Sequence, residues 1–90
     1  MVNIAGVIEM TYDELQRSDK PLEDKAQYLH DNALDYMCVG EFVLINEGDG
    51  EVWLCEDSDV KLDTCRRIRQ IAVFIGHNEE GLAIYKGVLL

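Results

Sequence analysis

Positive charge is scarce in this chain: eight lysines and arginines stand against eighteen aspartates and glutamates, a formal net charge of −10 over 90 residues. Such a balance repels nucleic acid and anionic lipid, so direct binding to either is not expected, whereas basic partners are drawn in. Long apolar runs are missing too. The longest, Phe42–Ile45 and Ile71–Ile75, are strand-sized and far short of a membrane span. The first residues lack the basic start and apolar middle of a secretory leader. Cys38, Cys55 and Cys65 are odd in number and widely spaced, with no C-x-x-C pair. That pattern argues against a disulfide framework or a thiolate zinc site, and for reduced thiols in a cytoplasm.

The chemistry-bearing motifs of enzymes are equally thin. His30 and His77 are the two imidazoles, and no G-x-S-x-G or matched cysteine–histidine signature accompanies them. Neither Asp49-Gly50 nor Asp57-x-Asp59 has the full ligand set of a calcium loop. A two-metal hydrolase would need carboxylates converging in a pocket, which the sequence leaves open. Gly76 to Gly81 resembles a phosphate loop only in its glycines, because Glu79 and Glu80 would repel phosphate. No catalytic residue, metal or cofactor is expected.

What remains is a chain that is 48% apolar, enough for one core and one domain spanning residues 1–90. Leu22, Ala26, Leu29, Ala33 and Tyr36–Met37 recur at helical spacing between Pro21 and Gly40, with Asp24, Asp31 and Asp35 on the opposite side. Asp19 as cap, Pro21 in the first turn and Gly40 as terminator frame a main helix over about 21–38. Val2–Met10 alternates as a strand with a bulge at Gly6, a helical start from Ile4 being the competing assignment. Thr11 and Glu14 have capping-box spacing ahead of a short helix over Tyr12–Arg17.

Glu41–Asn46 and Glu51–Cys55 flank Glu47-Gly48-Asp49-Gly50, a hairpin signal. A two- or four-residue loop places Phe42 and Leu44 with Trp53 and Cys55, and Val43 and Ile45 with Val52 and Leu54. A short helix over Val60–Arg66, a buried strand over Ile71–Ile75 and a returning strand over Leu82–Tyr85 complete the chain. The expected fold is α+β: one main helix packed on a largely antiparallel sheet of four to five strands, with short extra helical turns.

The order Val52-Trp53-Leu54, acidic residues, short helix, then Phe74-Ile75-Gly76-His77-Asn78-Glu79-Glu80-Gly81-Leu82-Ala83-Ile84-Tyr85 resembles the SUKH superfamily. In that family a tryptophan- or tyrosine-bearing strand precedes a helix, and an I-G-x-(D/N)-x-x-G turn joins two core strands. Pro21-Leu22-Glu23-Asp24 with Tyr28-Leu29 is similar to its early helix segment, with leucine and proline in inverted order. The resemblance covers roughly residues 21–85. It implies a binding protein, often an immunity protein that neutralises a partner toxin, frequently a nuclease, and it implies no catalytic residues.

The charge is uneven. Residues 1–40 carry −5, residues 41–63 carry −7 and residues 64–90 carry +2. Candidate partner-binding residues are therefore Asp24, Asp31 and Asp35 on the helix and Glu47, Asp49, Glu51, Glu56, Asp57, Asp59 and Asp63 in the acidic segment. Trp53 joins them as a partner-binding candidate: like Phe42 and Tyr85 it is expected in the core, and it becomes an interface anchor where exposed beside carboxylates. A row of carboxylates along a helix can occupy a groove built for nucleic acid; a solvated outer face is the plainer reading. Cys65, beside Arg66 and Arg67, has the setting of a reactive thiol. Arg66, Arg67 and Arg69 are expected to pair with the acids rather than with phosphate, while Phe42 and Tyr85 are expected in the core. The preferred function is a small acidic inhibitor that neutralises a basic, nucleic-acid-processing partner. The alternative is an assembly module acting as a small homodimer, its apolar Val88-Leu89-Leu90 tail packing on a neighbour.

Overall fold

The computed structural model describes residues 10–56 and 65–87. Within them a small α+β fold forms from two short helices and six strands. The helices are α1 (Tyr12–Arg17) and α2 (Leu22–Asp31). The strands are β1 (Tyr36–Val39), β2 (Phe42–Asn46), β3 (Val52–Glu56), β4 (Arg67–Ile71), β5 (Val73–His77) and β6 (Ala83–Lys86). The expected strand over Val2–Met10, most of the Val60–Arg66 helix and the Val88–Leu90 tail lie outside the described residues. Cys65 and Arg66 are not helical.

The capping box closes the start of α1. The Glu14 N–H donates to Thr11 Oγ1 at 3.2 Å, and the Thr11 N–H donates back to Glu14 Oε1 at 3.1 Å. Those donors, the Thr11 backbone first and its hydroxyl second, hold the Glu14 carboxyl below the usual glutamate range. Pro21 is itself the N-cap of α2, where no side chain caps the helix, so the expected roles of Asp19 and Pro21 are not filled. Lys25, almost fully buried, donates from Nζ to the carbonyls of Ser18 at 3.0 Å and Gln16 at 3.4 Å. It thus ties α2 to the last turn of α1.

The expectation of one main helix over 21–38 on a single sheet is overturned: α2 ends at Asp31 and residues 36–39 are strand. The terminator is a Schellman turn built without glycine. Ala33 sits at φ +51, with Leu34 N–H on Leu29 O at 3.0 Å and Ala33 N–H on His30 O at 3.2 Å. Asn46 braces that turn from β2, its Nδ2 donating to Leu34 O at 2.8 Å and Leu29 O at 3.1 Å. One carbonyl of the helix end, Leu29 O, is thereby also satisfied from another element.

The strands fall into two sheets. One is an antiparallel meander in the order β1-β2-β3-β4, and the other is the ribbon β5-β6. The chain passes between them at Ala72, flanked by the fully buried Ile71 and Val73, so the apolar Ile71–Ile75 run is shared by both sheets. In the β2–β3 hairpin Leu44 pairs with Leu54, Val43 with Cys55, Ile45 with Trp53 and Asn46 with Val52. This differs by one residue from the register expected, and a one-residue slip exchanges the faces of a whole strand. Val43, Ile45, Trp53 and Cys55 share one face. Leu44, Val52 and Leu54 turn to the helices, joining Leu15, Ala26, Leu29, Met37, Ile71 and Val73 in the core.

Besides Val73 in the core, two further contacts fasten the ribbon to the rest. Gly50, at φ +79 in the β2–β3 turn, lies so close to it that a Cβ would stand 2.9 Å from both Ile75 Cγ2 and Lys86 Cβ. On the edge of β5, the Gln27 side chain takes both backbone groups of Phe74. The Phe74 N–H donates to Gln27 Oε1 at 2.6 Å, and Gln27 Nε2 donates to Phe74 O at 3.1 Å.

The left-handed alanine gives a direct test of the helix end. Ala33→Gly relieves about 1–2 kcal/mol of left-handed strain against about 0.4–1 kcal/mol of added unfolded-chain entropy. A higher urea midpoint is the expected outcome; a lower one would mean that the Schellman turn does not form.

Candidate functional site

A bulge decides where the arginines go. The β3–β4 register shifts so that Leu54 pairs with Arg69 but Cys55 with Arg67, leaving Ile68 as the extra residue. Arg67 and Arg69 therefore point to opposite faces of the sheet. Arg67 Nη2 meets Glu47 Oε1 at 2.8 Å, and its guanidinium stacks 5.1 Å above the Trp53 ring. Arg69 reaches across to Glu23 on α2 at 3.6 Å, and Arg66 Nε pairs with Glu56 at 2.8 Å. The arginine run in sequence is thus dispersed, each side chain held by its own carboxylate.

Those pairs change what the expected acidic residues can offer. Glu47 and Glu56 are engaged by Arg67 and Arg66, and Trp53 is half-buried beneath Arg67. Asp35 has left the helix and lines a cleft of about 230 Å³ with Glu47, Cys55, Cys65 and Arg67, so no three-carboxylate row runs along α2. Asp49 and Glu51 flank Gly50 at the hairpin tip. Asp57, Asp59 and Asp63 lie outside the described residues. Among the described residues no cluster of histidine, cysteine and carboxylate side chains is arranged to hold a metal ion. Burial pushes the Cys55 thiol up, with Arg67 pulling the other way, so Cys55 stays a protonated, poorly nucleophilic group.

The arrangement that does bring expected carboxylates beside exposed rings lies on the other side of α2. Asp24, Gln27 and Asp31 share one helical face, and Gln27 Nε2 bridges Asp31 Oδ1 at 3.0 Å to Phe74 O at 3.1 Å. His30 Nδ1 also contacts Asp31 Oδ1 at 3.2 Å. Phe74 in turn makes edge contacts with His77 at 5.2 Å and Tyr85 at 5.8 Å between ring centroids. Tyr85 is 62% exposed, and Leu82, just before β6, is 60% exposed. An acid-rimmed aromatic face results, formed by α2 on one side and the β5–β6 ribbon on the other.

Comparison with protein-family models, curated proteins and solved structures found no match. The surface must therefore be read from its own chemistry. Among the described residues no helix is long and apolar enough to cross a membrane.

Tyr85 was expected in the core, as was Phe42, which is 37% exposed. Phe42 is the first residue of β2, and Tyr85 lies on β6, none of whose residues is buried. The turn that presents Leu82 is organised by Asn78, whose Oδ1 accepts the N–H groups of Glu80 and Leu82, each at 2.9 Å. The Phe74-x-x-His77 spacing and the Asn78 turn were the available signals for this face, and Glu23 as the partner of Arg69 had none.

The thiols provide a check on the sheet faces. Cys38 is exposed and Cys55 buried. Native alkylation followed by mass spectrometry is expected to modify Cys38 well before Cys55, which should react only on unfolding. Equal rates would contradict the burial of the Val43–Cys55 row.

Proposed function

We propose that this chain is a small acidic protein-binding inhibitor that neutralises a basic partner, in the manner of an immunity protein or a phage inhibitor. One observation carries the reading: Gln27 ties Asp31 to the half-buried Phe74, whose ring contacts the exposed His77 and Tyr85, and Asp24 shares the helical face of Asp31. Carboxylates at a rim steer an oppositely charged partner and set specificity, while desolvated aromatic side chains supply most of the holding energy. The two aspartates stand seven residues apart, about 10 Å along the helix axis, a span suited to separate cationic groups on a protein surface.

The overall charge of −10 favours a basic partner and raises the encounter rate. A nucleic-acid-processing protein has a cleft of the required sign, and the resemblance to the SUKH superfamily implies the same class of partner. Inhibition would follow from occupancy, with no reaction at this chain's own residues, and the three cysteines without disulfides suit a cytoplasmic setting. Trp53, stacked under Arg67 and half-buried, lies outside this face.

The test uses the full chain as bait in cells of its source, followed by titration of the captured partner's own activity with purified protein. The combined Asp24→Asn and Asp31→Asn variant is expected to bind about tenfold more weakly at low salt, the difference shrinking as salt screens the rim. Glu47→Gln, whose carboxylate is already taken by Arg67, should leave affinity unchanged. Equal loss from both variants, or capture without inhibition, would overturn the reading.

A further inference from the structure

Edges of β-strands carry unpaired backbone groups, and this fold covers two of them with side chains. On β1, the Tyr12 hydroxyl donates to Tyr36 O at 2.7 Å and Gln16 Oε1 accepts the Cys38 N–H at 3.3 Å. Burial, with the Tyr36 phenol next in weight, holds Tyr12 above the usual tyrosine range and so keeps that donor protonated. On β5, Gln27 takes both groups of Phe74. Among the described residues nothing pairs with the outer edge of β6.

Which groups that edge offers follows from the ladder. In an antiparallel pair, residues alternate between those bonded to each other and those whose backbone groups face outward. Phe74 faces outward, since Gln27 holds it, so its partner Tyr85 faces outward as well. Ala83, two residues back and opposite His77, does the same. Ile84 and Lys86 face inward.

We infer that β6 pairs with β6 of a second copy of this chain, antiparallel about a two-fold axis at Ile84. In that register Ala83 of each copy exchanges both backbone bonds with Tyr85 of the other. Lys86 then lies opposite Leu82 of the second copy, beside the turn that carries its Glu79 and Glu80. Neither Lys86 nor these two glutamates has an ion-pair partner among the described residues. The Lys86 stem covers Leu82, 60% exposed in the single chain, while its ammonium meets the carboxylates beyond. The interface is self-complementary, as a two-fold contact must be.

Charge selects the same region. Residues 1–63 carry −12, from −5 and −7, whereas residues 64–90 carry +2. Two copies approach with least repulsion through the latter segment. The resulting sheet, β5-β6-β6-β5, sets two Phe74–His77–Tyr85 faces side by side. This pairing goes beyond the proposed inhibition and stands whether or not a basic partner exists.

Sedimentation equilibrium on the full chain near physiological salt tests it. The mass is expected to rise from 10.2 kDa toward twice that value with concentration. Lys86→Glu should weaken the dimer about tenfold by turning attraction into like-charge contact, and adding Glu79→Lys and Glu80→Lys should restore it. Amide exchange on the unmodified chain provides a second readout, since Ala83 and Tyr85 should gain protection as concentration rises. A monomer throughout, a dimer indifferent to the Lys86 reversal, or Ala83 and Tyr85 amides insensitive to concentration would overturn the inference.

Discussion

The side chain of Gln27 stands in for a β-strand. By accepting from and donating to the same residue, Phe74, it closes the edge of β5 with a helix rather than another strand. Without that bond pair the β5–β6 ribbon would be a two-stranded sheet attached through Ala72, the buried Val73 and the Gly50 contact, and isolated hairpins are marginal in water. With it, the ribbon is fixed against α2, and Asp31, bonded to the same amide, comes to rest beside Phe74. The acid-rimmed aromatic face is thus a consequence of one amide group. Buried polar contacts of this kind specify geometry because their alternatives leave groups unpaired.

The rest of the molecule shows how an acidic chain keeps its core intact. Arg66, Arg67 and Arg69 are each spent on a carboxylate, and the Ile68 bulge is what separates Arg67 from Arg69. These pairs are largely exposed, so each contributes little stability alone. Their effect is on display: they withdraw Glu23, Glu47 and Glu56 from the surface field and leave the carboxylates of Asp24, Asp49 and Glu51 without an ion pair among the described residues. The carboxylate pattern a partner meets is therefore not the pattern of the sequence.

Several elements were legible in the sequence. The Thr11–Glu14 box and helix, the glycine-rich hairpin and the Asn78 turn each rest on local chemistry that a short stretch contains. The end of α2 was not, because Ala33 does what glycine ordinarily does, with support from Asn46 lying 13 positions further along the chain. Periodicity then carried the apparent helix on through Tyr36–Val39, which pairs with β2 instead. The hairpin register hinged on one residue of loop length, and the division into two sheets on a kink inside an unbroken apolar run. Of the candidate site, Asp24 and Asp31 were legible as helix residues opposite the apolar stripe, in a row with Asp35 that the structure does not keep. The placement of Asp31 beside Phe74 depends on Gln27, whose residue type says nothing about a partner 47 positions away.

Amide hydrogen exchange in the Gln27→Met variant addresses this dependence most directly, since methionine keeps the volume and removes both bonds. The Phe74 amide and its neighbours in β5 and β6 should lose protection by tenfold or more, about the worth of a hydrogen bond, while Val43, Leu44 and Leu54 stay protected. Unchanged protection at Phe74, or equal loss across both sheets, would contradict the claim that this one side chain joins the ribbon to the helix.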